Sequence, residues 1–266
     1  MTSPTSPQIG AIFIAYNAEH TLEQFWADFP KDSVQTSILV DDASKDRTFE
    51  LAQKLGIQSY KNPVNLGYGG NMKRALGLAE ESGLDIIIDL HPDGEYDPSA
   101  IPQAIEEMRK GADFVLGNRF TNTMEPLKSG MFFWKVLPIL FLNTIARVVL
   151  NVRLDDLHQG FRVYSRRLLS EVDYKNNSNG YLFSFEIIAQ AVHANLKIVQ
   201  VPVKTRYVGK KRGASLKSSV VYSLGVLRIL LLFLVAKTGF QSRLFKKKAV
   251  SLNHNDIGKA HDVSIR

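Results

Sequence analysis

Ile86-Ile87-Ile88-Asp89-Leu90-His91-Pro92-Asp93-Gly94-Glu95-Tyr96-Asp97-Pro98 is an apolar run that ends in a crowd of acids. Asp85 to Leu90 reads as a short buried strand, since three isoleucines in a row leave no polar face. Side chains alternate along a strand, so Asp89 and His91 fall on one face. Pro92 and Gly94 then turn the chain, which lets Asp93 point into a cleft. Asp97-Pro98 is a good helix start and accounts for Asp97 as a cap. An acidic turn before a capped helix leaves Asp93 unexplained. Carboxylate and imidazole together suit Mg²⁺ or Mn²⁺, and Mn²⁺ tolerates nitrogen better. His91 also suits a plain turn position in which Asp93 works alone.

Outward from this strand, the first 120 residues alternate strand and helix. Ile9–Ala15, Ser37–Val40, Ile57–Tyr60 and Ala112–Gly117 have strand length, while 18–29, 47–55, 70–81 and 98–110 have helical spacing. Such alternation implies a mainly parallel sheet with helices on both faces. Ligands then bind beyond the carboxyl ends of the strands, where the polar motifs sit. In the second half, Met131–Leu150 is apolar but carries Lys135 and Arg147, and Phe161–Tyr164 is a short strand. Tyr181–Ala194 reads as a helix and Lys197–Val203 as a strand, followed by a basic loop from Lys204 to Lys217. Val220–Ala236 is apolar except for Ser223 and Arg228, and from about Ala249 the chain looks like a disordered tail. The expected division is a catalytic domain over 1–217, a membrane-proximal helix over 218–245 and a basic, polar tail over 246–266.

The whole chain fits that plan. It has 266 residues, 45% of them hydrophobic, enough for a sizeable core. Without cysteine it has no disulfide, thiolate nucleophile or zinc–thiolate site, which suits a cytoplasmic chain. A net charge of +7 suits nucleotides, phosphates or acidic headgroups. The basic residues are scattered, with clusters only at Lys210–Arg212 and Lys246–Lys248, so nucleic acid is not expected as a partner. Met1 to Gln8 is polar and lacks an apolar core, so no secretory signal is expected.

A second strand ends in carboxylates, at Val40-Asp41-Asp42-Ala43-Ser44-Lys45-Asp46-Arg47-Thr48. Ser44 and Asp46 suit capping of the next helix. Capping does not explain two adjacent acids after an apolar strand, and Asp42 suits hydrogen bonds from a nucleobase or ribose. Asn65-Leu66-Gly67-Tyr68-Gly69-Gly70 is a glycine-rich turn leading into a helix, where backbone N–H groups could approach a phosphate or sugar. It does not follow the first strand, so it is not a dinucleotide fingerprint, and a dehydrogenase is set aside.

In order along the chain, these segments resemble the motifs of family 2 glycosyltransferases. Phe13-Ile14-Ala15-Tyr16-Asn17-Ala18-Glu19 is similar to their first-strand motif, and Asp41 to Thr48 to their D-D-x-S-x-D-x-T segment. Asn65 to Gly70 is similar to N-x-G-x-G, and His91-Pro92-Asp93-Gly94-Glu95 sits where they carry D-x-D-G-Q. Gly117-Asn118-Arg119, Asp156 with Gly160-Phe161-Arg162, and Gly213-Ala214-Ser215 complete the series. The layout is most similar to the dolichol-phosphate mannose synthase and polyprenyl-phosphate glycosyltransferase branch. Ile14, Ala43, His91 and Glu95 depart from the usual proline, glycine, aspartate and glutamine, and His158-Gln159 is unusual before Gly160.

The resemblance implies a GT-A-type, Rossmann-like fold and an inverting, metal-dependent transfer from a GDP- or UDP-linked sugar. Ala15, Tyr16, Asn17, Glu19, Asp41, Asp42, Asn65, Gly67, Gly70, Asp89 and Arg119 would bind the nucleotide sugar. Asp93 and His91 would hold Mg²⁺ or Mn²⁺. Arg162 would face phosphate, and Lys210, Arg212 and Ser215 the acceptor phosphate. A lipid-phosphate acceptor is already ionised and needs no general base. A glycan hydroxyl does, and Asp156 and Glu186 are the candidates. A degenerate binder of nucleotide sugar is the reading from another class.

As a helix, Val220–Ala236 is about 25 Å long, short of the roughly 30 Å hydrocarbon core, and Arg228 lies in its middle. A helix lying on the membrane's cytoplasmic face, with Lys237, Arg243 and Lys246–Lys248 near anionic headgroups, is therefore expected over a spanning one. Packing in the core or in a homo-oligomer is the other place for such a helix.

Overall fold

The computed structural model describes residues 6–121, 133–206, 216–240 and 242–245. Seven strands form one sheet: β1 (Ile9–Ala15), β2 (Thr36–Asp41), β3 (Gln58–Lys61), β4 (Ile86–Asp89), β5 (Phe114–Asn118), β6 (Arg162–Ser165) and β7 (Ile198–Pro202). Their order is β3-β2-β1-β4-β6-β5-β7. All pairings are parallel except those of β6, which runs antiparallel between β4 and β5. The chain thus has the mainly parallel α/β sheet of a GT-A-type fold.

Alternation along β1 separates two apolar layers. Ile12 and Ile14 face one side, with α3 (Tyr68–Glu81). Ala11 and Phe13 face the other, with α1 (Glu19–Asp28) and α2 (Thr48–Lys54). On that second side Phe13 meets Phe25 and Phe29 edge to face at 5.0 and 5.1 Å. α4 (Ile101–Arg109) joins this layer after a 3₁₀ turn that Asp97 caps by accepting the Ser99 N–H. The first layer also receives α5 (Phe133–Leu150), α6 (Arg166–Glu171), α7 (Phe183–His193) and α8 (Leu216–Lys237).

Two local expectations change, and one helix is added. α3 begins two residues before Gly70, at Tyr68, because Gly67 takes a positive φ of 77° and starts the first turn. Ser44 does not cap α2: its hydroxyl donates to Asp41 and accepts the Asn17 N–H. Asp46 does serve the helix start, accepting the N–H and hydroxyl of Thr48. The short helix α6, unread in the sequence, starts at Ser165, whose Oγ accepts the Leu168 N–H at 2.9 Å.

The last helix is longer than the apolar run Val220–Ala236. The stretch Ser218–Lys237 is long and apolar enough to cross a membrane by length and composition. It is nevertheless docked: Val226, Ile229, Leu230 and Phe233 are buried in the first core layer. Its other face leaves Val221, Leu224, Leu231 and Leu234 exposed, and Leu137, Phe141 and Val148 of α5 are exposed as well. After α8 the chain returns to the domain. Phe245 is buried against His193 and Phe233, and Leu244 accepts a hydrogen bond from Gln190. The expected tail from 246 lies outside the described residues.

Candidate active site

The site edge follows from strand direction. β1, β2, β4, β5 and β7 all end there, and antiparallel β6 begins there, so Arg162 joins the strand ends. Ala15 stands beside Asp41, and Arg162 stands between Asp89 and Leu116.

The ends of β1 and β2 are stitched together. Ser44 Oγ, Thr48 Oγ1 and Asp46 Oδ2 accept the N–H groups of Asn17, Ala18 and Glu19. In return, Asn17 Oδ1 accepts the Lys45 N–H, and Glu19 accepts the N–H and Nε of Arg47. Asn17 and Ala43 both take positive φ, 53° and 58°, to make this crossing. At Ala43 the left-handed backbone is one that glycine adopts at less cost. Tyr16 is left half exposed at the rim.

Asp41 and Asp42 are both buried. Asp42 accepts the N–H groups of Leu66 at 2.8 Å and Gly67 at 3.0 Å, and Asn62 Nδ2 at 2.7 Å. Asn65 Nδ2 adds a bond to the Asp42 carbonyl at 3.1 Å. Gly69 and Gly70 both donate to the Asn179 carbonyl, at 2.7 and 3.2 Å. The amides of Leu66, Gly67, Gly69 and Gly70, which the sequence reading offered to a phosphate or sugar, have protein acceptors. The glycines serve close approach of the 178–180 loop. A Cβ on Gly69 would stand 2.2 Å from the Ser178 carbonyl oxygen.

The central part of the site is buried and unevenly bonded. Asp89 is fully buried; its Oδ2 accepts the Tyr164 hydroxyl at 3.1 Å and lies 3.9 Å from Arg162 Nη1. Its Oδ1 lies 3.6 Å from His91 Nε2, and neither atom has a hydrogen-bond partner. Burial pushes the Asp89 carboxyl above its ordinary value, against the pull of His91 and Arg162. Arg162 donates to the Tyr68 hydroxyl at 3.1 Å and to the Gln159 carbonyl. Its Nε is buried without a partner. Ser184 also donates to the Tyr68 hydroxyl, at 3.1 Å.

Asp93 lies just beyond, exposed, with one oxygen accepting the Glu95 N–H at 2.9 Å. Among the described residues no group of three or more His, Cys, Asp or Glu side chains forms a ready-made metal cage. The donor set still fits a divalent cation. It pairs an orphaned imidazole nitrogen with an orphaned carboxylate oxygen, and an exposed carboxylate follows two residues later. Magnesium-type sites commonly use one or two carboxylates and take their other ligands from substrate phosphates and water.

Arg119 and Asp156 form a buried, two-pronged pair. Nε and Nη2 of the arginine donate to Oδ2 and Oδ1 at 2.7 and 2.9 Å, and Nη2 also donates to the His158 carbonyl at 2.8 Å. Both oxygens of Asp156, a candidate base, are thus engaged by Arg119. Glu186, the other candidate, accepts the Ser178 N–H at 2.6 Å, and burial pushes its carboxyl up. Asn62, Tyr68, Tyr96 and Asn179 were not singled out in the sequence. Tyr96 accepts the Gly160 N–H at 2.7 Å, linking the Asp93 turn to the Arg162 loop. Asn179 had no sequence signal, but Tyr96 stood inside the quoted acidic stretch. Lys210, Arg212 and Ser215 lie outside the described residues.

This arrangement can be set beside known proteins. A polyprenol monophosphomannose synthase of Mycolicibacterium smegmatis is 25% identical over 229 residues, covering 80% of this chain and 79% of that protein. An undecaprenyl-phosphate mannosyltransferase of Micrococcus luteus is 26% identical over 227 residues, covering 80% of this chain and 90% of its own. In fold, the chain is similar to glucosyl-3-phosphoglycerate synthase of Mycobacterium tuberculosis, solved with Mn²⁺, UDP-glucose and phosphoglyceric acid. That likeness has a TM-score of 0.63 and 18% identity, over 90% of this chain and 82% of the other. Residues 11–173 match the sequence family described as Glycosyl transferase family 2. With most of its length in that match, and with the family's motifs gathered on one sheet edge, the chain belongs to glycosyl transferase family 2.

Proposed function

We propose that this glycosyltransferase moves a sugar from a nucleotide diphosphate donor to a polyprenyl-phosphate acceptor, with inversion, at the cytoplasmic face of a membrane. The observation that carries the reading is the pair of buried arginines at the site edge, Arg119 and Arg162, 5% and 2% exposed. Burying a guanidinium is costly, and each is held by a carboxylate, Asp156 or Asp89. Such fixed positive charge suits the charge that builds on a departing diphosphate, because it needs no rearrangement as the bond breaks.

Each residue then has a task. Tyr16, Asn17 and Glu19 frame the rim where base and ribose would lie, and Asp42 shapes that rim by holding the 65–67 turn. Tyr68 and Asp89 keep Arg162 aimed along the edge. Arg119 is set by Asp156 and the His158 carbonyl. His91 and Asp93 would hold Mg²⁺ or Mn²⁺ with Asp89 behind them, and the bound cation would neutralise charge on the donor's phosphates. A lipid phosphate attacks as an anion, so no side chain need take its proton. Lys210, Arg212 and Ser215 are proposed to meet that phosphate.

Membrane contact is proposed for the exposed apolar faces of α5 and α8. Because α8 buries its other face in the domain, it would lie in the interface and not stand across the bilayer. Arg228 and Lys237 are exposed on that helix and would reach headgroups.

Glu186 supports a second reading. A carboxyl pushed up by burial suits a proton acceptor, and a sugar-hydroxyl acceptor would need one. Transfer assays on vesicles with polyprenyl phosphate, and without it but with soluble glycan acceptors, separate the two. Product on the lipid alone supports the first reading. Product on the glycan alone, abolished by Glu186→Gln, overturns it.

A further inference from the structure

Helix α8 reaches the site through Tyr222. Tyr222 lies on the stripe that continues through Val226, Ile229 and Phe233, the buried face of the helix. Its hydroxyl lies 2.9 Å from His158 Nδ1, and the two rings meet edge to face at 5.6 Å. The face of the His158 ring stacks on Phe185 of α7, at 5.4 Å between centroids and 25° between planes. Close approach of the helix is possible because residue 225 is glycine. A Cβ there would stand 2.4 Å from Leu182 Cδ1.

From His158 the path continues inward. Its carbonyl accepts Arg119 Nη2 at 2.8 Å, and its N–H points to Asp156 Oδ1 at 3.4 Å. Of the amides around it, Leu157 donates to Asn143 of α5 and Gly160 to Tyr96, while Phe161 donates to Gln159 of the same loop. His158 Nε2 is buried with no hydrogen-bond partner, so Tyr222 supplies the ring's one hydrogen bond among the described residues. Burial holds the imidazole down to about 4, so at neutral pH the ring is uncharged and its bond to Tyr222 is a neutral one.

We infer that Tyr222 is a positioning residue for the proposed transfer. Through His158 it fixes the 156–160 loop and with it Arg119, so the diphosphate side of the site is complete only while α8 is docked on the domain. The role rests on the proposed function only for its catalytic consequence. The mechanical link from α8 to the loop stands on the contacts themselves.

The test uses the full chain with Tyr222→Phe, His158→Phe, the double variant and His158→Asn. Transfer kinetics, thermal midpoint and hydrogen exchange over 155–161 are the readouts. Tyr222→Phe keeps the ring and loses only the hydroxyl. It is expected to lower kcat about 5–20-fold, to lower the midpoint of unfolding by no more than a few degrees, and to speed exchange of the 157, 160 and 161 amides. The double variant should be no worse than either single one, the sign of a shared interaction. His158→Asn, whose amide nitrogen can stand where the ring Nδ1 stands, should recover most of the rate.

Unchanged kcat and unchanged exchange in Tyr222→Phe overturn the inference, as do fully multiplicative effects in the double variant. Should the wild type transfer no sugar at all, faster loop exchange in Tyr222→Phe upholds the link while the proposed function fails. Unchanged exchange overturns the link as well.

Discussion

Asp42 Oδ2 accepts the backbone N–H of Gly67 at 3.0 Å, so the end of one strand holds the turn that opens α3. The same carboxylate accepts the Leu66 N–H and Asn62 Nδ2. An acid that suits a nucleobase or ribose is, in the folded chain, the clamp that shapes the rim where they would lie.

Asp42→Ala would take one acceptor from three donors; Gly67 N–H keeps Asn65 Oδ1, Asn62 Nδ2 keeps Asn71 Oδ1, and the Leu66 N–H keeps none among the described residues, so about 1–3 kcal/mol of stability should be lost. Chemical denaturation measures it. If stability holds while donor binding is lost, Asp42 acts as a ligand and not as a clamp.

Ala43 carries a left-handed backbone with φ of 58°. Glycine there relieves roughly 1–2 kcal/mol of strain and gives back part of it as chain entropy. Ala43→Gly should therefore raise stability by up to about 1 kcal/mol, seen as a higher thermal midpoint with unaltered activity. A lower midpoint would contradict the strained crossing between β1 and β2.

His158 has its pKa held down by burial to about 4, against an ordinary 6.5. Between those values the unfolded chain binds the extra proton, so stability rises with pH from about 4 to 6.5 and is lost as pH falls through that window. The loss attributable to this group is on the order of 3 kcal/mol. Denaturation curves across the window should be flatter for His158→Asn than for the wild type. Parallel curves would mean that the ring is not buried as a neutral group.

Arg119→Lys replaces two parallel bonds to Asp156 by one. A buried carboxylate oxygen is left short of a donor, and about 2–4 kcal/mol of stability should go with it. Adding Asp156→Asn to Arg119→Lys should cost still more, because it leaves a buried ammonium without a counter-charge. No further loss would argue that the pair matters through its contact with the His158 carbonyl.

Much of this was readable in the chain because it is periodic or local. Three isoleucines before Asp89 identified a central strand, and alternation correctly placed Asp89 and His91 together, now 3.6 Å apart. The direction of β6 was not readable. A four-residue strand carries no signal for parallel or antiparallel pairing, yet that direction is what brings Arg162 between Asp89 and Leu116. Nor were the partners of the glycine-turn amides readable. The Asn179 carbonyl lies more than a hundred residues away, and only the fold brings it to Gly69 and Gly70. The apolar run Val220–Ala236 understates α8 because it stops short of polar Ser218 and Ser219, although both are helical.

The proposed site at His91 and Asp93 would bind a divalent cation together with the donor's diphosphate. The most direct test is calorimetric binding across a panel of nucleotide diphosphate sugars, with Mn²⁺, with Mg²⁺ and with EDTA, for the wild type, His91→Ala and Asp93→Ala. One donor is expected to bind with metal, EDTA to remove most of that affinity, and Asp93→Ala to do the same without lowering the thermal midpoint. Equal donor binding with EDTA, or no donor binding by folded wild-type protein under any metal, would contradict the proposed site.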